Sequence, residues 1–272
     1  MTGRTGRGGT GRAGTGREST GRAGTGHAGT GHAGSVRRIR ALTERGLGGP
    51  AAEGGSQERH GIVIVGAGGF GGEVLQYVLD AFGADPCYGV KGFLDDHPPD
   101  LSLRGLSVPV IGTVEGYVVD PTDRIVIAIG DPAVRLRIAD GLAARGAAFL
   151  TLVHPLASVA PTATIGPGCI LAPYATVGAH AAIGEHTVLT FYASVAHDAR
   201  VGRGCTFSPH AVTNGGSCVG DGVFLGAHAA VNPLKSVGAG SRLTAGSVVY
   251  RNIPPGSLAS GNPAKVRKLW SW

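Results

Sequence analysis

Residues 159–183 read VAPTATIGPGCILAPYATVGAHAAI, and a step of six from Val159 lands on Ile165, Leu171, Val177 and Ile183. The step continues without a slip through Leu189, Val195, Val201, Phe207, Thr213, Val219, Leu225, Val231, Val237, Leu243 and Val249. Fifteen of these sixteen residues are aliphatic or aromatic, Thr213 being the exception. A helix repeats every 3.6 residues and a strand every two, so neither produces a strict six. A hexapeptide register predicts a parallel β-helix, whose short strands stack coil on coil. In the left-handed form three hexads close one triangular coil, so residues 159–254 fill a little over five coils around one apolar column. The residue after each aliphatic position is often Gly (Gly166, Gly178, Gly184), and the residue four after it is mostly small, as at Ala163, Cys169 and Ser241.

Upstream of Val159 the texture differs. Residues 5–34 are six pentads of the form Thr-Gly-Arg/His-x-x, with no apolar face to bury. Residues 1–60 hold ten Arg and four Glu, a net of +6, which equals the formal charge of the whole 272-residue chain. Residues 61–272 therefore balance to zero, and no specific nucleic-acid partner is expected. The leader lacks a secretory signal's apolar core, and no 18-residue apolar run exists to cross a membrane. Cys87, Cys169, Cys205 and Cys218 form no CxxC pair or disulfide framework, which points to the cytoplasm. Cys169 and Cys205 fall on small inward slots of the repeat.

From Gly61 the chain turns α/β. The run Ile62-Val63-Ile64-Val65 predicts a buried strand, followed by Gly66-Ala67-Gly68-Gly69-Phe70-Gly71. Val74, Leu75, Val78, Leu79 and Phe82 then recur at helical spacing. A strand, a glycine turn and a helix N-terminus make a cradle for phosphate. A second strand ends at Gly92-Phe93-Leu94-Asp95-Asp96, and a third, from Arg124, ends at Gly130. Asp131 and Pro132 suit the start of a helix whose face is Val134, Leu136, Ile138 and Leu142. Phe149–Val153 reads as the final strand. These patterns divide the chain into a leader (1–58), a Rossmann-like domain (59–155), a left-handed β-helix (156–256) and a cap (257–272) with Trp270 and Trp272 over the last coil.

A glycine-turn α/β domain joined to a hexapeptide prism and closed by Gly261-Asn262-Pro263-Ala264-Lys265 resembles one family over residues 60–268. It resembles the sialic acid O-acetyltransferase family of hexapeptide-repeat acyltransferases, which includes bacterial N-acetyltransferases acting on UDP-linked 4-amino sugars. The resemblance implies a cytoplasmic homotrimer that moves acetyl from acetyl-CoA to a sugar, with no metal and no membrane partner. It places the general base and its acidic partner at His197 and Asp198, Asp198 standing where some members carry Glu. It makes the Gly215 N–H a donor to the thioester oxygen. Thr206, Gly215, Ala227, Ala245 and Lys265 would bind the coenzyme between neighbouring prisms, Thr206 replacing a second histidine of some members. Gly68, Gly69, Phe70, Asp95, Asp96 and Gly130 would hold the nucleotide sugar, Phe70 replacing a histidine of some relatives.

The chemistry suits these types, since imidazole takes a proton near neutral pH and a carboxylate raises its basicity. Two other readings compete: O-acetylation of sialic acid or another sugar, and a trimeric scaffold that only binds a nucleotide sugar. A zinc prism of the γ-carbonic anhydrase type would need a close histidine pair, and His180, His186, His197, His210 and His228 include none five apart. The histidines other than His197 are expected on solvated faces or trimer contacts.

Overall fold

The computed structural model describes residues 59–99 and 108–269; the leader and the Trp270 and Trp272 cap lie outside the described residues. Its first part is built from β1 (His60–Val65), α1 (Gly69–Phe82), β2 (Tyr88–Leu94), β3 (Val110–Gly112), β4 (Asp123–Ile127) and α2 (Pro132–Ala143). The four strands form one parallel sheet in the order β3-β2-β1-β4. Alternation along β1 sends Ile62 and Ile64 to the α1 side, and Val63 and Val65 to the α2 side. Both sheet faces are thus buried, which is why β1 reads as a continuous apolar run.

Two sequence readings change here. Leu79, assigned to the buried face of α1, is 46% exposed. The buried face of α2 is Arg135, Ala139 and Leu142, with Leu136 and Ile138 only partly covered. Asp131 caps this helix as expected, accepting from the amides of Ala133 (3.0 Å) and Val134 (3.1 Å). Burial works against its charge, but the Val134 amide and Arg242 hold the carboxyl below its usual range.

The hexads form a parallel β-solenoid of two-residue strands. Strands pair eighteen residues apart, as Ala182 with Arg200 and Val188 with Thr206, so one coil is three hexads. Three stacked faces result. Face one carries 170–171, 188–189, 206–207, 224–225 and 242–243; face two carries 158–159 to 248–249; face three carries 164–165 to 236–237. Leu152–Val153, read from sequence as the end of the α/β sheet, pairs with Ile170–Leu171 and is the first rung of face one. Phe149 alone bridges to Ile125 of β4.

The corners explain the rest of the hexad. Each is a turn such as Ala172–Ala175, closed by the Ala175 amide on the Ala172 carbonyl (3.1 Å), with Tyr174 at φ 62°. That is a type II turn, which requires positive φ at its third residue. Eight non-glycine residues accept this conformation, including Tyr174, His186, Asp198 and His228. The glycine after the aliphatic residue has a different cause. A Cβ on Gly178 would sit 2.5 Å from the His197 amide nitrogen of the next coil.

The outward residues of the first four rungs of face one, Leu152, Ile170, Val188 and Thr206, are buried. Leu152, Ile170 and Val188 join the core beneath α1. His186, expected outside, is buried with its ring edge-on to Phe149 at 4.5 Å. Between α2 and the coils lies Arg135, fully buried, donating to the carbonyls of Ile129, His186, Gly204 and Cys205 and to the Thr206 hydroxyl. Cys169 and Cys205 are inside the prism, where burial pushes both thiols up to about 12. Among the described residues no helix is long and apolar enough to cross a membrane.

Candidate active site

His197 and Asp198 stand at the corner between faces two and three. Asp198 occupies the positive-φ position (φ 58°), which turns its carboxylate back onto the preceding ring. His197 Nδ1 and Asp198 Oδ2 are 2.8 Å apart. A carboxylate can only accept, so Nδ1 donates, and in the neutral ring the lone pair falls on Nε2. Aspartate is one methylene shorter than glutamate, and the turn geometry makes up the reach. Both side chains are open, at 70% and 61% exposure.

One coil further on, Gly215 lies beneath the imidazole. A Cβ there would come within 2.6 Å of His197 Cε1 and 2.7 Å of Nε2, so the ring rests directly on the glycine. Among the described residues the Gly215 amide donates to no protein atom. The pair and the glycine therefore assemble within one chain, presenting a basic nitrogen beside an N–H donor. On the adjoining face three, a groove of about 720 Å³ is lined by Arg200, Cys218, Asp221, Ser236 and Pro254, among others.

A second cluster follows the carboxyl ends of β1, β2 and β4. Gly68 is the N-cap of α1 without a side-chain cap, and Gly69 and Phe70 begin the helix. Open space borders Gly68 and Gly130, since a Cβ on either would meet nothing within 4 Å. Asp95 accepts from the amides of Ala67 and His97, each at 2.8 Å, and Asp96 from the Val114 amide at 2.8 Å. The two carboxylates thus shape the loops that rim the cluster.

The expected coenzyme residues are not brought together. Ala227 and Ala245 lie at the corner between faces one and two, on the far side of face two from His197. Lys265 opens the C-terminal hairpin strand Lys265–Leu269, paired antiparallel with Ser257–Ser260. Thr206 is 4% exposed, its hydroxyl donating to the Gly130 carbonyl (2.8 Å) and accepting from Arg135. Its place is therefore the joint between the β4–α2 loop and face one, not an open groove. Sequence reasoning missed Arg135, which ties that loop to the coils. The spacing of eighteen puts His210 and His228 in one column, and their rings do stack; what sequence reasoning missed is that Tyr192 and Tyr174 extend the same column. Among the described residues no group of three or more His, Cys, Asp or Glu could hold a metal ion.

Comparison with known proteins follows the same division. A family model described as the PglD N-terminal domain matches residues 61–142. A search of curated proteins gives no match. Among solved structures, the acetyltransferase domain of PglB from Neisseria gonorrhoeae FA1090 is similar at 30% identity and TM-score 0.69, over 77% of this chain and 100% of that one. That domain has also been solved with acetyl coenzyme A. PerB from Caulobacter crescentus, in complex with CoA and GDP-perosamine, is similar at 30% identity and TM-score 0.68, over 79% and 100% of the two chains. WeeI from Acinetobacter baumannii AYE follows at 27% identity and TM-score 0.68, over 76% and 99%.

Proposed function

The chain belongs to the hexapeptide-repeat acetyltransferases, and from that premise we propose that it moves acetyl from acetyl-CoA to the amine of a nucleotide-linked sugar. The observation that carries the reading is the His197–Asp198 hydrogen bond, which leaves Nε2 basic above Gly215. The sugar amine attacks the thioester carbonyl while Nε2 takes its proton. The Gly215 N–H donates to the oxygen as it becomes negative. Collapse forms the amide and expels the CoA thiolate, to which the imidazolium returns the proton. Asp198 keeps the ring in the tautomer that the first step needs and balances its charge in between.

Residues 59–151 serve as a Rossmann-like domain for the nucleotide sugar, its diphosphate at the open N-terminus of α1. Asp95, Asp96 and Gly130 edge that site. Residues 152–256 are the left-handed acyltransferase prism, and 257–272 its cap. PerB carrying GDP-perosamine supports a nucleotide-linked acceptor. Because His197 and the pair Ala227 and Ala245 occupy different corners, one coenzyme touching all three lies between two chains, and we assign the active form as a homotrimer. Light scattering of the full chain should report three copies, and an active monomer would defeat the shared groove.

Thiol release from acetyl-CoA should appear with UDP- or GDP-linked amino sugars and not with free sialic acid. Release with sialic acid alone would make the enzyme an O-acetyltransferase. Nucleotide-sugar binding without release for any acceptor would leave a scaffold. Gly215→Ala tests the geometry: its methyl group must push the imidazole away, and a displacement of about 1 Å can cost about 10²-fold in turnover. Unchanged turnover in that variant would show that the ring position is not used.

A further inference from the structure

At the corner between faces one and two, the positive-φ residue of four successive coils is Tyr174, Tyr192, His210 and His228. Their rings are stacked, with centroids 4.9, 4.9 and 4.7 Å apart and planes within 10°. That spacing is the strand separation of a sheet, about 4.8 Å, so the coil repeat itself imposes the ladder. The next rung is Gly246, exposed, at φ +69°, and a Cβ there would meet nothing within 4 Å.

The chain below this rung is also shortened. Where Gly226 and Ala230 donate to Leu243 and Ser247, four residues apart, Thr244 and Val248 donate to Ala259 and Gly261, only two apart. The last corner is therefore cut back beneath Gly246, and the lower face of the His228 ring is left open. The same turn is joined to the hairpin by the Ala264 amide on the Val248 carbonyl (2.7 Å). Lys265 and Arg267, both exposed, follow directly.

Resting on the acetyl-CoA reading above, we propose that the open face of His228 over Gly246 is a stacking platform for the adenine of acetyl-CoA. A flat heteroaromatic ring is what extends a ladder of flat rings. Nucleobases stack on aromatic side chains through π-faces alone, without base-edge contacts. The cations of Lys265 and Arg267 suit the phosphates next to such a base. The other base in the reaction, that of the nucleotide sugar, is assigned to the carboxyl edge of the parallel sheet, which leaves adenine for this corner. Neither His228 nor Gly246 takes part in the proton transfers, so the platform sets coenzyme affinity and not the chemical step.

The test is calorimetric titration of the full chain with CoA, adenosine 3′,5′-bisphosphate and 4′-phosphopantetheine. His228→Ala should weaken the first two about 5- to 150-fold, the range for losing one base–aromatic stack, and leave 4′-phosphopantetheine unchanged. His228→Phe should keep near-normal affinity. Gly246→His, a residue that the two rungs above already tolerate at positive φ, should fill the slot and repeat the loss. In turnover assays KM for acetyl-CoA should rise while kcat at saturation holds. Equal weakening of 4′-phosphopantetheine, or none for CoA, overturns the proposal. So does weakening of a UDP- or GDP-sugar instead of CoA, which would give the slot to the acceptor's base. Loss that tracks dissociation in light scattering would give it to a second copy of the chain. Failure of the unmodified chain to bind CoA would defeat the acetyl-transfer reading itself, whereas binding indifferent to His228 defeats only the platform.

Discussion

His197→Ala is expected to lower turnover by about 10²–10⁴-fold, the contribution of a positioned general base. Acetyl-CoA affinity should hardly change, because the ring is 70% exposed and, among the described residues, its polar contact is with Asp198. Folding should be equally indifferent: His197 sits outside the prism, and Gly215 beneath it already packs without a side chain. Asp198→Asn should be milder, since an amide oxygen can still accept from Nδ1 but supplies no charge to the imidazolium. The two variants also differ in pH dependence. An enzyme without its base needs an acceptor amine that has already lost its proton, so the residual activity of His197→Ala should climb as pH rises through the amine's pKa. Turnover, CoA binding and mass are to be measured on one preparation. A His197→Ala enzyme of native mass with near-normal turnover at neutral pH would remove the imidazole from the mechanism.

Arg135→Ala should have the largest effect on stability, about 3–5 kcal/mol, as for removing one partner from a buried charged network. The guanidinium is fully buried, and its solvation is supplied by a carbonyl of the β4–α2 loop, the carbonyls of His186, Gly204 and Cys205 and the Thr206 hydroxyl, not by a hydrogen-bonded carboxylate. Burial lowers its pKa to about 10, which still leaves it charged at neutral pH. Truncation abandons these acceptors in a dry cavity, each a cost of about 1–3 kcal/mol before relaxation. Arg135→Lys keeps the charge but offers three donors from one point, so part of the loss should remain. Arg135→Met restores volume without the bonds and separates packing from hydrogen bonding. The measurement is thermal unfolding, with hydrogen exchange followed at 129–131 and 204–206. An Ala variant within 1 kcal/mol of the parent chain would mean that water replaces the guanidinium.

The solenoid was legible because one constraint, an aliphatic residue inside every sixth position, is local and repeated. The same arithmetic carried information that was not used. Ala227 lies 30 residues after His197, one coil of eighteen plus twelve, so the two cannot share a corner. Ile170 and Val188, apolar at outward positions, marked face one as covered before any contact was known. Arg135 was illegible for a physical reason. A charge between Val134 and Leu136 reads as a solvent-facing residue, and only the carbonyls of distant coils reverse that assignment. The burial of Thr206 was illegible for a related reason: a motif position gives an address on the prism but not what covers that address. The His197–Asp198 contact was expected from adjacency, yet its reach depends on the backbone turn, which residue types alone do not specify.

The eighteen-residue coil has a further consequence for how such a site can change. A side chain on this prism moves along the axis only in whole rungs of about 4.8 Å, because stacked strands admit no intermediate height. The gap between the basic nitrogen and the Gly215 amide is therefore a fixed graduation on a ruler. Fine adjustment falls to side-chain length and to which residue takes the left-handed turn, as Asp198 does here. Deleting a single residue between His197 and Gly215 would not bring them slightly closer. It would put the intervening inward side chains out of phase with the coils above and below, so new specificity on this scaffold has to come from substitutions, or from gains and losses of eighteen residues at a time.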